Sequence, residues 1–394
     1  VIDYGKARIW VDDIADVESG ALNQVNDMLA NTYTTGVAIM PDVHCGYGVP
    51  IGGVWLLDNG VSPEAVGYDI RCGVAALKLP LTKDELLSRH PDVLEKLDSK
   101  IRRFIPVGFA HRNERHHNDT AIRHIKDYGI TSRYMPQMLE IEEEIDRPGC
   151  VLNQLGTLGG GNHFIELSVD QDNNIWIVIH SGSRGLGWNI ADKYMKLAKE
   201  ADGINLIPVL PLDSDVAKRY LHFHAACGVF AITSRFMMCA IVAEKIEELF
   251  NRRFNIQDTL YEDVSHNFVS HHSGSNMLHR KGATPAKAGE VVIIPGSMGT
   301  KTFIGVGKGN PSSYESCSHG AGRTMSRSQA KKTLSMGTFT KQMEGIFSTS
   351  ISAKTLDECP AAYKDIDKVI AQQEDLIEVT HILRPILNIK GDTK

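Results

Sequence analysis

A chain of 394 residues with 42% hydrophobic and 23% charged side chains is long enough to bury a substantial core and carries no low-complexity tract that would argue for disorder. Its formal net charge of −6 excludes a general nucleic-acid coat protein, but it is compatible with a local basic groove, because phosphate contacts depend on where Lys and Arg cluster. The cysteines, Cys45, Cys72, Cys150, Cys227, Cys239, Cys317 and Cys359, are odd in number and scattered. They do not form a disulfide framework and point to a reducing, cytoplasmic setting.

No apolar run approaches the length of a membrane span, so no membrane partner is expected. The opening VIDYGKARIWVDD lacks the basic start, apolar centre and small-residue end of a secretory signal. A first residue Val1 leaves room for a short segment ahead of it. In chain order, AIMPDVHCGYGVPIGGVWLL (38–57) predicts strand, glycine-rich loop, strand, and VAALKLPL (74–81) begins another strand. Residues 83–100 and 136–146 have helix-forming composition, and the polar HRNERHHNDT (111–120) reads as a surface loop. Next, the β-rich runs 164–169 and 175–180 flank the turn-forming DQDNN, the pattern of a hairpin. That pairing sets His163 and His180 nearly opposite at its open end, with Cβ atoms ~5 Å apart.

Residues 213–254 contain no proline and little glycine, which predicts one or two long helices with Ser214 or Asp215 as N-cap. His222 and His224 are two apart, point to different helix faces, and suit solvated or packed roles better than chelation. A glycine-rich stretch follows, and the last helix is expected to start at Pro360 and run through AAYKDIDKVIAQQ. With no Pro/Ser linker and no repeat, the expectation is a mixed α/β fold forming one large domain over residues 1–394.

A thiolate, imidazoles and a carboxylate together make a divalent-metal site, and the candidates are Asp69, Cys72, His163, His180 and His266. Singly, each has a plain alternative: Cys72 as a small buried hydrophobe, Asp69 as a turn residue, the histidines as strand ends or caps. A second constellation suits phosphate. LGTLGGGNHF, HSGSRG, PGSMGTK and SHGAGR combine glycines, whose N–H groups can cradle an anion, with Arg184 and Arg323. None is a Walker loop, but together they make a polyphosphate or RNA backbone a reasonable ligand class. His319, among small residues, is chemically able to act as base, ligand or nucleophile toward phosphorus.

The segments MPDVHCGYGVPIGG, GYDIRCGV, LGTLGGGNHFIE, HSGSRG, SHNF, RKGAT, IPGSMGTK, SCSHGAGR, AYKDID and NIKG, in that order over nearly the entire chain, resemble the RtcB family of RNA ligases. The resemblance implies a distinctive α/β domain with packed sheets surrounded by helices. It also implies joining of RNA 2′,3′-cyclic phosphate or 3′-phosphate ends to 5′-hydroxyl ends, with GTP and manganese. His319 would take GMP as a phosphoramidate. Cys72 would bridge two Mn²⁺ ions, with Asp69 and His163 on one and His180 and His266 on the other. Thiolate and imidazole by themselves favour zinc.

The same resemblance implies nucleotide contacts from Asn162, His163, Phe164, Ile165, Glu166, His266, Asn267, Pro295, Gly296, Ser297, Met298, His319, Gly320, Ala321, Gly322 and Lys390. Glu166 would accept from the guanine edge. Thr302 stands where the family commonly has Ser, and Tyr363 would pack against the base or face the core. Arg184, Asn189, Arg280, Lys281 and Arg323 are candidates for RNA phosphates. Arg71 stands where many members carry a small residue; a cation beside Cys72 would favour the thiolate. The resemblance admits transfer-RNA splicing and RNA repair alike, with or without an accessory activating protein. Two other readings use the same residues: a metal-dependent RNA phosphoesterase that needs neither GTP nor His319 as nucleophile, and a non-catalytic RNA-binding protein.

Overall fold

Runs of β-branched and aromatic residues pair into two large sheets in the computed structural model, which describes residues 1–112, 133–254 and 259–392 together with Arg123, Lys126 and Gly129. The six-stranded sheet runs Ile2–Tyr4, Ala7–Ile9, Thr34–His44, Ile51–Asp58, Asn276–Lys281, Asn267–Ser273. The seven-stranded sheet runs Leu260–Ser265, Gly73–Thr82, Asn174–Ser181, Phe164–Val169, Ile377–Ile389, Thr302–Gly307, Val291–Pro295. Its central strands are buried on both faces, and the alternation of side chains sorts them. Ile175, Ile177 and Ile179 face the main helical core, whereas Trp176 and Val178 pack with Val74, Ala76, Ile293, Ile304 and Leu383.

The helical core includes residues of Val93–Phe104, Arg184–Ala201 and the 36-residue helix Asp215–Phe250. That long helix is continuous, with Ser214 as N-cap accepting from the Ala217 amide at 3.2 Å. His222 lies 2.5 Å from Glu140 at the surface, and the buried His224 receives the Val269 amide at 3.3 Å, as the two-residue spacing implied. The expectation that nothing apolar approaches a membrane span is corrected here. Among the described residues this helix is long and apolar enough by length and composition, with 72% of its apolar window buried inside the protein. Arg235 interrupts the apolar run, but its apolar neighbours keep the average high.

Other boundaries shift for local reasons. The helix expected over 83–100 divides into Lys83–Ser88 and Val93–Phe104, because Pro91 lacks the amide needed to continue it. The helix 136–146 is Met135–Ile145. Pro360 opens only a short 3₁₀ turn, Pro360–Ala362; the helix starts at Ile366, where Asp365 caps it by accepting from the Asp367 amide at 3.0 Å. Of the loop 111–120 only His111 and Arg112 lie among the described residues, and Arg112 is buried, donating to the Leu155 and Gly156 carbonyls.

Candidate active site

Three local structures deliver the five metal-ligand candidates. The hairpin forms, with Phe164 rather than His163 directly opposite His180. His163 sits one residue before its strand, turned inward by the contact of its Nδ1 with the Leu158 carbonyl at 3.1 Å. A tight turn carries Asp69 and Cys72, closed by the Cys72 amide donating to the Asp69 carbonyl at 3.1 Å. His266 is the single residue between Leu260–Ser265 and Asn267–Ser273, and its amide donates to the Cys72 carbonyl at 2.8 Å.

The side chains converge. Cys72 Sγ lies 3.4 Å from His163 Nε2 and 3.2 Å from His180 Nε2; His163 Nε2 is 2.9 Å from Asp69 Oδ2, and the Nε2 atoms of His180 and His266 are 3.3 Å apart. The donors form two triads that share Cys72: Asp69, Cys72 and His163, and Cys72, His180 and His266, each with ligand atoms within 4.8 Å. This set fits divalent ions. A proton on His163 Nδ1 directed at Leu158 leaves the Nε2 lone pair for a metal. Burial, then neighbouring positive charge, holds His180 and His266 well below the usual imidazole range, hence neutral as ligands require. Burial and the Asp69 carboxylate push the Cys72 thiol well up, a balance that a cation reverses.

Beside this cluster opens a cavity of about 450 Å³, lined by Asn162, Phe164, His180, Pro295, Gly296, Ser297, Met298, His319, Gly320, Ala321, Gly322, Arg323, Tyr363 and Lys390, among others. The glycine run is a packing requirement. Gly322 has φ +73°, and a Cβ there would lie 2.2 Å from the Asp42 carbonyl oxygen. This close approach sets His319 against the strand Thr34–His44. His319 Nδ1 is 2.6 Å from Asp42 Oδ2, its amide also donates to Oδ2 at 3.1 Å, and its ring centroid is 4.7 Å from that of His266. With Nδ1–H donated to Asp42, the Nε2 lone pair is left free.

At the other end of the cavity Lys390 Nζ lies 2.7 Å from Glu358 Oε2, which also accepts from the Tyr363 hydroxyl at 2.7 Å; Arg327 reaches both Asp357 and Glu358. Burial alone would raise the Glu358 pKa, but Lys390 and Arg327 overcome it and hold the carboxyl well below the carboxylate range. Burial lowers Lys390, with Glu358 opposing.

The remaining candidates divide between the core and the edge of the site. Ile165 is in the core, and Thr302 is buried opposite Leu383. Glu166 is buried with Oε1 accepting from Ser168 and Oε2 from Asn388. Asn267 bridges the Asp69 carbonyl and the Gly282 amide. Arg184 stands beside His163 and donates to the Gly108 carbonyl, while Arg323 borders the cavity with its guanidinium 5.0 Å over Tyr363. Asn189 donates to the Gly185 carbonyl, and Arg280 to Ser316 and the Tyr314 carbonyl. Lys281 is buried on the Tyr47 and Glu64 carbonyls, and burial pushes its pKa down to about 7.

Arg71 does not serve as the cation for Cys72. Its guanidinium lies 4.2 Å over the Phe268 ring, and the positive charge that bears on the thiol comes from Arg235, paired with Asp263 at 2.6 Å. Sequence reasoning missed Asp42, Glu358 and Arg327. Asp42 lay inside a quoted motif, where an acidic residue between apolar neighbours was the available signal.

A buried cysteine–imidazole–carboxylate cluster beside a histidine on a glycine-rich, Lys- and Arg-edged cavity is a centre suited to metal-assisted chemistry on phosphates. Residues 24–391 match the family model described as tRNA-splicing ligase RtcB, and the chain belongs to that family. It is 36% identical over 403 residues to the RNA-splicing ligase RtcB of Escherichia coli (strain K12), covering 98% of this chain and 97% of that protein. It is 32% identical to the tRNA-splicing ligase RtcB of Nanoarchaeum equitans, over 90% of this chain and 88% of the relative. The RNA-splicing ligase RtcB of Mycobacterium bovis is 31% identical, over 89% and 96%.

Proposed function

We propose that the chain is an RNA ligase that consumes GTP and joins RNA 2′,3′-cyclic phosphate or 3′-phosphate ends to 5′-hydroxyl ends. The observation that carries this reading is the seat of His319, fixed by Asp42 and in ring contact with His266 of the donor cluster. Asp42 accepts from Nδ1–H and keeps Nε2 aimed outward as the nucleophile. Nε2 attacks the α-phosphorus of GTP; a P–N bond forms, the bond to pyrophosphate breaks, and Asp42 stabilises the positive charge on the ring. An oxygen of the RNA 3′-phosphate then displaces His319 from that phosphorus. The 5′-hydroxyl attacks the activated 3′-phosphate, GMP leaves, and a 3′–5′ phosphodiester remains. A cyclic phosphate is first opened by water.

Two divalent ions on the shared-cysteine triads, manganese by family resemblance, would neutralise phosphate charge and orient the leaving pyrophosphate. Phe164 and Tyr363 offer apolar walls for a base, Lys390 a cation held in place by Glu358, and Arg184 and Arg323 donors for RNA phosphates. We treat residues 1–394 as one catalytic domain, since both large sheets contribute to the one centre. The seven cysteines are all unpaired, which suits a reducing compartment such as the cytoplasm.

The test is incubation with Mn²⁺ and α-labelled GTP, followed by a search for protein-bound label that acid releases and alkali does not. Adduct is expected in the wild type, none in His319→Ala, and little in Cys72→Ala. Label that persists without His319 would sink the nucleophile assignment. RNA hydrolysis without adduct would favour the phosphoesterase, and RNA binding without either would favour the non-catalytic reading.

A further inference from the structure

Next to the metal-ligand turn lies an aromatic surface that the ligase reading does not use. Trp188 is 50% exposed and stacks on Tyr68, with ring centroids 5.6 Å apart and planes within 16°; Tyr68 in turn meets Tyr47, itself 49% exposed, at 5.5 Å. The other three tryptophans, Trp10, Trp55 and Trp176, are buried, so Trp188 alone leaves an indole face in water.

The ledge is held rigidly to the donor cluster. Tyr68 directly precedes Asp69, and the Ser183 amide, at the start of the helix Arg184–Ala201, donates to Asp69 Oδ1 at 3.0 Å. Gly187, adjacent to Trp188, lets that first turn close on Ser183, since a Cβ there would lie 1.8 Å from Ser183 Oγ, and the same position packs in ordinary contact with Ile70. The far end of the ledge carries a cation, Lys199, whose Nζ is 3.2 Å from the Tyr47 hydroxyl and 3.5 Å from Glu64. A flat, exposed aromatic face with an ammonium at its end suits an unpaired nucleobase and its phosphate, because every base offers a π-face for stacking. A stack of rings packed only for stability would place the indole inward, as the other three tryptophans do.

We infer that the Trp188–Tyr68–Tyr47 ledge stacks an unpaired nucleobase of the RNA beside the reacting end, so that strands frayed at the junction are gripped in preference to fully paired ones. This rests on the reading of the chain as acting on RNA, and the test separates the two. Wild-type protein is titrated with a short single-stranded RNA bearing 5′-hydroxyl and 3′-phosphate ends, without GTP, while tryptophan fluorescence and the anisotropy of a labelled copy of the RNA are followed together.

Quenching in step with binding is expected, and acrylamide access to the exposed indole should fall. Trp188→Ala should weaken binding on the order of tenfold, and Trp188→Phe should bind nearly as wild type, since a phenyl ring still stacks. An RNA with abasic sites at its ends should show in wild type the affinity that intact RNA shows for Trp188→Ala. Binding without quenching, or Trp188→Ala binding as tightly as wild type, would overturn the inference. So would burial of Trp188 driven by protein concentration alone, which would make the ledge a contact between copies. Quenching by RNA in a protein that never ligates would uphold the ledge and defeat the ligase reading instead.

Discussion

Replacing Glu166 by glutamine tests how its buried carboxyl is held. Glu166 is 1% exposed, with Oε1 2.6 Å from Ser168 Oγ and Oε2 3.0 Å from Asn388 Nδ2. Burial drives its pKa from 4.5 up to about 7, against the opposing pull of those hydrogen bonds and of Lys390. A carboxyl whose folded pKa lies above its unfolded one holds its proton more tightly when folded. Its contribution to stability is therefore complete below pH 4.5 and is lost as pH rises through about 7. At about 1.4 kcal/mol per pH unit, the window is worth at most about 3 kcal/mol. Glutamine reproduces the neutral acid: Nε2 donates to Ser168 Oγ while the carbonyl accepts from Asn388. Above pH 7 the Glu166→Gln variant should be more stable than wild type by up to about 3 kcal/mol, and the two curves should converge below pH 4.5. Urea unfolding across a pH series measures this. Parallel curves would refute the reasoning, and parallel curves with lost preference for GTP over ATP would assign the side chain to the guanine edge.

Asp42→Asn should lower the rate of His319 guanylylation by about 10²-fold or more without changing the melting temperature, since an amide can donate to Nδ1 and favour the wrong tautomer; labelled GTP reads it. Cys72→Ala should lose both ions and His163→Ala one, measured as metal per chain after dialysis against Mn²⁺ and gel filtration. Unchanged content in Cys72→Ala would exclude the shared-ligand arrangement. Glu358→Gln should destabilise the fold by about 3–5 kcal/mol, because Lys390 and Arg327 are left beside a buried neutral group. Adding Lys390→Met should recover part of that loss in denaturant melts, and strict additivity of the two changes would show that the pair is not coupled.

Local chemistry was legible wherever the chain folds back on its neighbours. DQDNN closes its hairpin, Ser214 caps its helix, and the spacing of His222 and His224 separates a solvated from a packed ring. Register was legible only to one residue, because the turn sets pairing while the inward turn of His163 depends on the Leu158 carbonyl. The ordered motifs located the metal-ligand candidates and His319 but not the partners that govern them. Asp42 and His319 are 277 residues apart in sequence, and Glu358 and Lys390 are 32 apart. No periodicity records such contacts. Arg71 shows the same limit from the other side: its place next to Cys72 in sequence suggested an electrostatic role, yet the left-handed backbone there, φ +58°, swings the guanidinium onto Phe268.

The architecture explains why a site of this chemistry needs so large a fold. Strands of the seven-stranded sheet and the turn that feeds them carry Cys72, His163 and His180, whereas Asp42 belongs to the six-stranded sheet and His319 follows a short strand, Ser316–Ser318, outside both. His266 occupies the one position where the chain leaves the first of these sheets and enters the second, and its ring touches both sides, at 5.1 Å from His180 and 4.7 Å from His319. A displacement between the sheets therefore moves His319 relative to the donor cluster, and His266 is the side chain that registers it. Loss of His163 should impair one triad alone, but loss of His266 should disturb both ion binding and the seat of His319. The buried Nδ1 of His266 has no hydrogen-bond partner, so the 3.3 Å contact of its Nε2 with His180 and ring packing are what fix that imidazole. An ion held by Cys72, His180 and His266 would therefore tighten this seam and couple the seat of His319 to occupancy of the donor cluster.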